Sequence, residues 1–149
     1  MNHRMVGNRH KRWTLAFGVA GVAIYFALAT YFHWTFVDPR PRGSFVIPLT
    51  RPYWRERDFA FRASNLKRED ALGLAKIPAD DPGNEYDTAS PIQIYEGHDR
   101  LGPGHSRFIE ISLVGKGRFA HWREQGIYFS SSDNTDPNLN GRRYWAVVP

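Results

Sequence analysis

Residues 13–36 read WTLAFGVAGVAIYFALATYFHWTF, a 24-residue run without Lys, Arg, Asp or Glu. As a helix it extends about 36 Å at ~1.5 Å per residue, enough for a hydrocarbon core of roughly 30 Å with some tilt. Trp13 stands at one end, and Tyr31, Phe32, Trp34 and Phe36 crowd the other. Amphipathic rings gather in this way at headgroup level, and His33 among them reaches interfacial water. The expectation is a transmembrane helix over 13–36. A buried soluble helix competes, but the rest of the chain offers too little protein to surround so uniform a run.

A second competitor is a cleavable secretory signal, because basic residues, an apolar stretch and Ala27-Leu28-Ala29 follow one another. Hydrophobicity continues past Ala29, so a cut there leaves TYFHWTFV as an apolar new N-terminus; the reading favours an uncut anchor. Orientation rests on Arg4, Arg9, Lys11 and Arg12 before the run against Arg40, Arg42 and Arg51 after it. That bias points to a cytoplasmic N-terminus, and so to a bacterial inner-membrane protein with a periplasmic C-terminal domain. Ala16 and Ala20, and Ala23 and Ala27, stand four apart. Each pair shares a helix face and permits close approach of another transmembrane helix.

The whole chain has 149 residues, 20 Lys+Arg and 15 Asp+Glu, formally +5. Four of the basic residues and none of the acidic ones precede residue 37, so the remainder is nearly neutral. The excess charge belongs to a short tail rather than to a binding face, which argues against nucleic acid as a partner. With no cysteine, a disulfide scaffold, Cys-ligated zinc, an iron–sulfur cluster and a thiol nucleophile are excluded.

Beyond the membrane run, residues 37–56 carry Pro39, Pro41, Pro48 and Pro52 and read as an extended leader. Phe45-Val46-Ile47 within it is also compatible with an edge strand. RDFAFRA (57–63) alternates and reads as a strand. LKREDALGLA (66–75) is the soluble helix candidate, and PADDPGNEYDTAS (78–90) is turn chemistry. From Pro91, PIQIYE, RFIEISLV, RFAHW, GIYFSSS and RRYWAVV are short β-prone runs between glycine-containing breaks. Ile92/Ile94, Ile109/Ile111/Leu113, Ile127/Phe129 and Tyr144/Ala146/Val148 follow period two. The expected fold is one N-terminal transmembrane α-helix followed by a small all-β domain: an antiparallel meander, a sandwich or a partly open barrel. The expected organisation is a basic tail (1–12), the helix (13–36), the leader (37–56) and a β-rich domain (57–149).

Candidate chemistry is sparse. Asp136-x-Asn138-x-Asn140-Gly141 has the first half of a calcium loop. Its twelfth position is Val147 and two arginines follow, so Asx turns in a long hairpin loop are the better reading. His98, Asp99, His105 and His121 lack metal-ligand spacing, and Ser106 beside His105 lacks a G-x-S-x-G setting. Glu96, Glu110 and Glu124 fall in separate runs at positions that look solvent-facing. Tyr95, Trp122, Tyr128 and Trp145 are out of phase with the aliphatic core or at strand ends. They make either a stacking row for sugar or a second buried face. Gly115–Arg118 is a turn, too short for a phosphate loop. No cofactor, metal or catalytic set is expected.

Two blocks, GKGRFAHW (115–122) and YFSSSDNTDPNLNGRRY (128–144), follow LGPGHS (101–106). Together they resemble a bacterial β-rich, envelope-associated domain with the pattern G-x-G-R-F-x-H-W, then Y-F-S-x-S-D-N-x-D-P-x-x-N-G-R-R-Y. The resemblance covers about a third of the chain and implies an envelope or surface-polysaccharide setting, without an activity. It draws attention to His105, His121, Asp133, Asn134, Asn140 and Arg142, either as a ligand-binding polar face or as a hydrogen-bonded brace. The functional expectation is a non-catalytic accessory subunit of a larger inner-membrane complex. Its partners are the lipid bilayer and transmembrane helices of other membrane proteins, with glycan as a further candidate. The alternative is a membrane-anchored glycan-binding or glycan-modifying module of cell-envelope polysaccharide biogenesis.

Overall fold

The computed structural model describes the backbone of residues 6–36, 38 and 40–149, with side chains from residue 17 onward. The chain forms two compact units, Met1–Asp38 and Pro39–Pro149.

The first unit is one helix, α1 (Val6–Thr35). It begins inside the stretch read as a basic tail, whose residues 6–12 contain nothing that breaks a helix. Phe17–Thr35 is long and apolar enough to cross a membrane. Every described side chain from 17 to 36 is exposed, including Phe17 at 70% and Trp34 at 84%. An exposed apolar helix of this length is compatible with membrane anchoring. The two threonines fit such a setting. Thr30 and Thr35 donate their hydroxyls to the carbonyls of Phe26 and Tyr31, at 2.7 and 2.8 Å. Ala20, Ala23 and Ala27 of the proposed packing face are exposed; the side chain of Ala16 lies outside the described residues.

The second unit contains eight strands, β1 (Phe45–Leu49), β2 (Trp54–Arg57), β3 (Ala60–Arg62), β4 (Gln93–Glu96), β5 (Asp99–Arg100), β6 (Phe119–Trp122), β7 (Gly126–Phe129) and β8 (Tyr144–Val148). Two short helices accompany them, α2 (Arg68–Leu74) and α3 (Phe108–Leu113). The strands form two antiparallel four-stranded sheets, ordered β1-β8-β4-β5 and β2-β3-β7-β6. The domain is therefore two-sheeted rather than a meander, because β8 inserts between β1 and β4. One core joins the sheets: Ile47, Leu49, Ile94, Tyr144 and Ala146 from the first meet Phe61, Phe119, Ile127 and Phe129 from the second.

Several local expectations need correction. The leader 37–56 supplies β1 and most of β2. Its Pro48 lacks an N–H, and Arg40 Nη2 donates to the Val46 carbonyl at 3.2 Å; both features protect an edge strand from further pairing. RDFAFRA (57–63) is not one strand throughout: it contains the end of β2, a turn with Asp58 at φ 42°, and the short strand β3. RFIEISLV is not a strand but contains α3. Phe108, Ile111 and Ser112 form the inward face, whereas Ile109 and Leu113 are 44% and 52% exposed. Six residues are too few for periodicity to decide between the two states. The deciding signal is Glu110, whose Oε2 accepts the Arg107 N–H at 3.1 Å. Phe59 N–H donates to the Ser112 carbonyl at 3.1 Å, tying α3 to the β2–β3 turn.

The outer face of the second sheet is buried too. Ala60, Ala120 and Tyr128 pack with Ile111, and Phe108 and Trp122 flank them. Trp122 and Tyr128 lie 4.9 Å apart by ring centroid. Tyr95 and Trp145 instead face each other across β4 and β8 of the first sheet. The four rings are thus divided between two sheets and form no single row. In α2, Gly73 has a close-packing role. A Cβ there would meet the Phe45 ring at 2.7 Å, so the bare backbone admits that ring.

Candidate functional site

The six polar residues singled out by the sequence fall into separate hydrogen-bonded networks. The first is centred on Glu96 at the end of β4. Sequence suggests a solvent-facing carboxylate, but Glu96 is buried, at 8% exposure. Its Oε1 accepts the Tyr144 hydroxyl at 2.6 Å and pairs with Arg142 Nη1 at 3.2 Å. Its Oε2 accepts the Ser132 hydroxyl. Arg142 Nη2 reaches Asp133 Oδ2 at 2.5 Å, and Asn140 Nδ2 donates to the Tyr144 hydroxyl oxygen at 2.8 Å.

These contacts decide the electrostatics. The Arg142 guanidinium, aided by the Thr135 hydroxyl, holds the Asp133 carboxyl far below the ordinary carboxylate range. Asp133 and then Glu96 push Arg142 upward. Burial, followed by the Glu96 hydrogen bond, raises Tyr144. Burial also pushes neighbouring Tyr53 up to about 12, against the opposing charge of Arg51. These hydroxyl and guanidinium donors tie the segment before β8 to the end of β4, as a hydrogen-bonded brace requires.

The loop between β7 and β8 is fixed in the same way. Asp136 Oδ1 accepts the Asn138 N–H at 2.8 Å, and its Oδ2 pairs with Arg55 at 2.9 Å. Asn138 Oδ1 accepts the Tyr53 N–H at 2.7 Å, while Asn138 Nδ2 donates to the Tyr53 carbonyl at 3.1 Å. Asn140 Oδ1 accepts the Arg142 N–H at 3.0 Å. The oxygens of the calcium-like pattern thus serve Asx turns and cross-links. Asn134 stands apart from the Glu96 network. At φ 66°, it receives the Lys116 N–H on Oδ1 at 2.6 Å and donates to the Val114 carbonyl at 3.1 Å.

Gly115 is what makes that Asn134 contact possible. It adopts φ +64°, and an added Cβ would lie 2.2 Å from Asn134 Oδ1. Gly115→Ala is therefore expected to cost about 1–3 kcal/mol from backbone strain and a lost hydrogen bond. A urea midpoint for the full chain in detergent checks this; an unshifted midpoint would show that Asn134 gives way freely.

The second network contains His105 and His121 together with Asp80 and Ser90, two residues the sequence reading did not single out. Residues 78–81 run beside β6: Asp80 N–H donates to the His121 carbonyl and Arg123 N–H to the Asp80 carbonyl, both at 2.9 Å. The Asp80 side chain is 4% exposed. Its Oδ2 meets His105 Nδ1 at 2.8 Å, and its Oδ1 accepts the Ser90 N–H at 2.8 Å. Ser90 Oγ lies 3.0 Å from His121 Nδ1 and accepts the Ile92 N–H at 3.3 Å. The His105–Asp80 pair orients an imidazole whose side chain is 28% exposed. Ser90 and His121 are both buried. Beside His121 lies a cleft of about 710 Å³, walled by Leu66, Leu74, Ile77, Pro78 and Ala89, with Lys76, Arg123 and Glu124 contributing charge.

The structure thus joins Asp133, Asn140 and Arg142 through Glu96 and Tyr144, and joins His105 and His121 through Asp80 and Ser90. It does not unite the six residues on one face. Among the described residues, no group of three or more His, Asp or Glu side chains is arranged to hold a metal ion. Glu96 and Tyr144 were hidden because strand alternation does not show that a carboxylate points inward. Asp80 was hidden within generic turn chemistry. No protein-family model, curated protein or solved structure matches this chain.

Proposed function

We infer that the chain is a non-catalytic, single-pass inner-membrane accessory subunit that presents its β domain at the periplasmic side for assembly or stabilisation of a larger complex. The observation carrying this reading is α1: a helix of membrane length whose described side chains, Ala20, Ala23 and Ala27 included, are all exposed. Lipid satisfies its large apolar side chains, and a small-residue face permits close approach of a second helix. The hydrogen bonds within the Glu96 network support a bracing role for residues 128–144.

Detergent extraction followed by native mass spectrometry tests the reading. Stoichiometric co-purification with a larger assembly is expected. A solitary chain that retains oligosaccharide would contradict it and favour the glycan-binding or glycan-modifying module. Ala20→Leu combined with Ala23→Leu is expected to release the chain from its complex while leaving it in the membrane. Unchanged co-purification of this double variant would reject helix packing as the means of assembly.

A further inference from the structure

The buried Asp80–Ser90–His121 chain and its His105 branch are not used by the function proposed above, and they fasten a loop that walls the cleft. We propose that Asp80, Ser90, His105 and His121 form an acid-sensitive latch, which holds residues 78–90 against the β6 edge and opens when His121 gains a proton. Opening separates the parallel bridge between Asp80 and Trp122 and widens the adjoining cleft.

The hydrogen bonds are compatible with a neutral His121: in the tautomer with Nδ1 as acceptor, the Ser90 hydroxyl donates to the ring while its oxygen accepts the Ile92 N–H. The Pro78 backbone favours the charged ring, but less than burial disfavours it. Adding a proton at Nδ1 replaces an acceptor with a second donor facing Ser90. The serine hydroxyl hydrogen then loses its partner, and a cation is left in a site only 5% exposed. Asp80 is the carboxylate whose charge reaches this ring, but its Oδ2 is engaged by His105 and its Oδ1 by the Ser90 amide. It therefore opposes the burial penalty without making a direct ion pair with His121. Burial is the larger influence and lowers the ring's pKa.

The surrounding charges do not supply the switch. Asp87 accepts the Asp81 and Ala89 N–H groups and is held below its ordinary carboxylate value, first by the Asp81 amide. It stays charged throughout the histidine range. Arg123 lies within electrostatic reach of Asp87, while Lys76 and Glu124 line the cleft. The sign follows from the lowered His121 pKa: the closed loop binds fewer protons than the open one. Closure is thus fully favoured above the free-histidine value near 6.5 and weakens as pH falls below it.

Hydrogen exchange on the full chain in detergent tests the latch through the amides of Asp80, Ser90 and Arg123. After correction for intrinsic exchange, their protection is expected to fall as pH drops below ~6.5, by at most about tenfold per pH unit for a single proton. The Ala63 amide, bonded to the Ile127 carbonyl within the second sheet, should stay level. His121→Asn keeps an acceptor toward Ser90 but cannot take the proton, and is expected to remove the slope. Protection that is level with pH in the native chain, or an equal slope in the variant, overturns the latch. Should the variant fail to fold, ring titration of native His121 decides. Protonation at or above pH 6.5 with protection intact overturns the proposal; a neutral ring below that pH together with the native slope supports it.

Discussion

Phe129→Ala is expected to lower the stability of the β domain by about 3–5 kcal/mol. Phe129 is fully buried at the centre of the shared core. Its ring centroid lies 5.1 Å from that of Tyr53 and 4.9 Å from that of Tyr144, and its strand position is paired with Phe61 and Phe119. Truncation removes buried apolar area from both sheets and leaves a cavity that three stiff rings cannot easily fill. For a domain of this size the loss is a large share of the usual stability of about 5–15 kcal/mol. Urea unfolding of the full chain in detergent, followed by near-ultraviolet circular dichroism, measures it. Leu139→Ala serves as a control, because Leu139 is 84% exposed and should change stability by less than about 0.5 kcal/mol. A Phe129→Ala effect as small as the control's would refute the two-sheet core.

Glu96→Ala is expected to cost about 2–4 kcal/mol, through loss of a buried acceptor shared by several donors. Tyr144 is 1% exposed, so its hydroxyl keeps Asn140 as a donor but loses its own acceptor. Arg142 retains Asp133 and some solvent, which moderates the damage. Glu96→Gln preserves an acceptor for Tyr144 and should lose less. Tyr144→Phe alone should cost about 1–2 kcal/mol, and the pair Glu96→Ala with Tyr144→Phe should cost less than the sum of the two. Strict additivity in that cycle would show that the two residues do not act as one brace.

Legibility of the fold varied with the length and chemistry of each segment. A charge-free run long enough for a bilayer made α1 apparent from residues 13–36. Alternation located β4, β7 and β8, because Ile94, Ile127, Phe129, Tyr144 and Ala146 all face one core, while β6 was marked only as the β-prone run RFAHW. The same criterion failed at α3, where Ile109 and Leu113 mimic a strand although they lie on the exposed side of a helix. Proline left β1 open between two readings, an extended leader and an edge strand; Pro48 is tolerated in it because β1 lies at the sheet edge. Sheet order was not readable at all: the placement of β8 between β1 and β4 depends on contacts across about a hundred residues.

The candidate site shows the same division. His105, His121, Asn140 and Arg142 each bond to a buried partner, whereas Asp133 bonds to the more exposed Arg142 and Thr135. The partners themselves, Asp80, Ser90, Glu96 and Tyr144, sit where only the three-dimensional path brings them together. Which side of a strand a single glutamate occupies depends on the register of its neighbours, and local composition carries no such information.

The intact mass of the chain recovered from washed membranes tests the central claim most directly. The anchored-subunit account predicts a membrane-bound product that retains the residues before Thr30. A product beginning near Thr30 and found in the soluble fraction would contradict it.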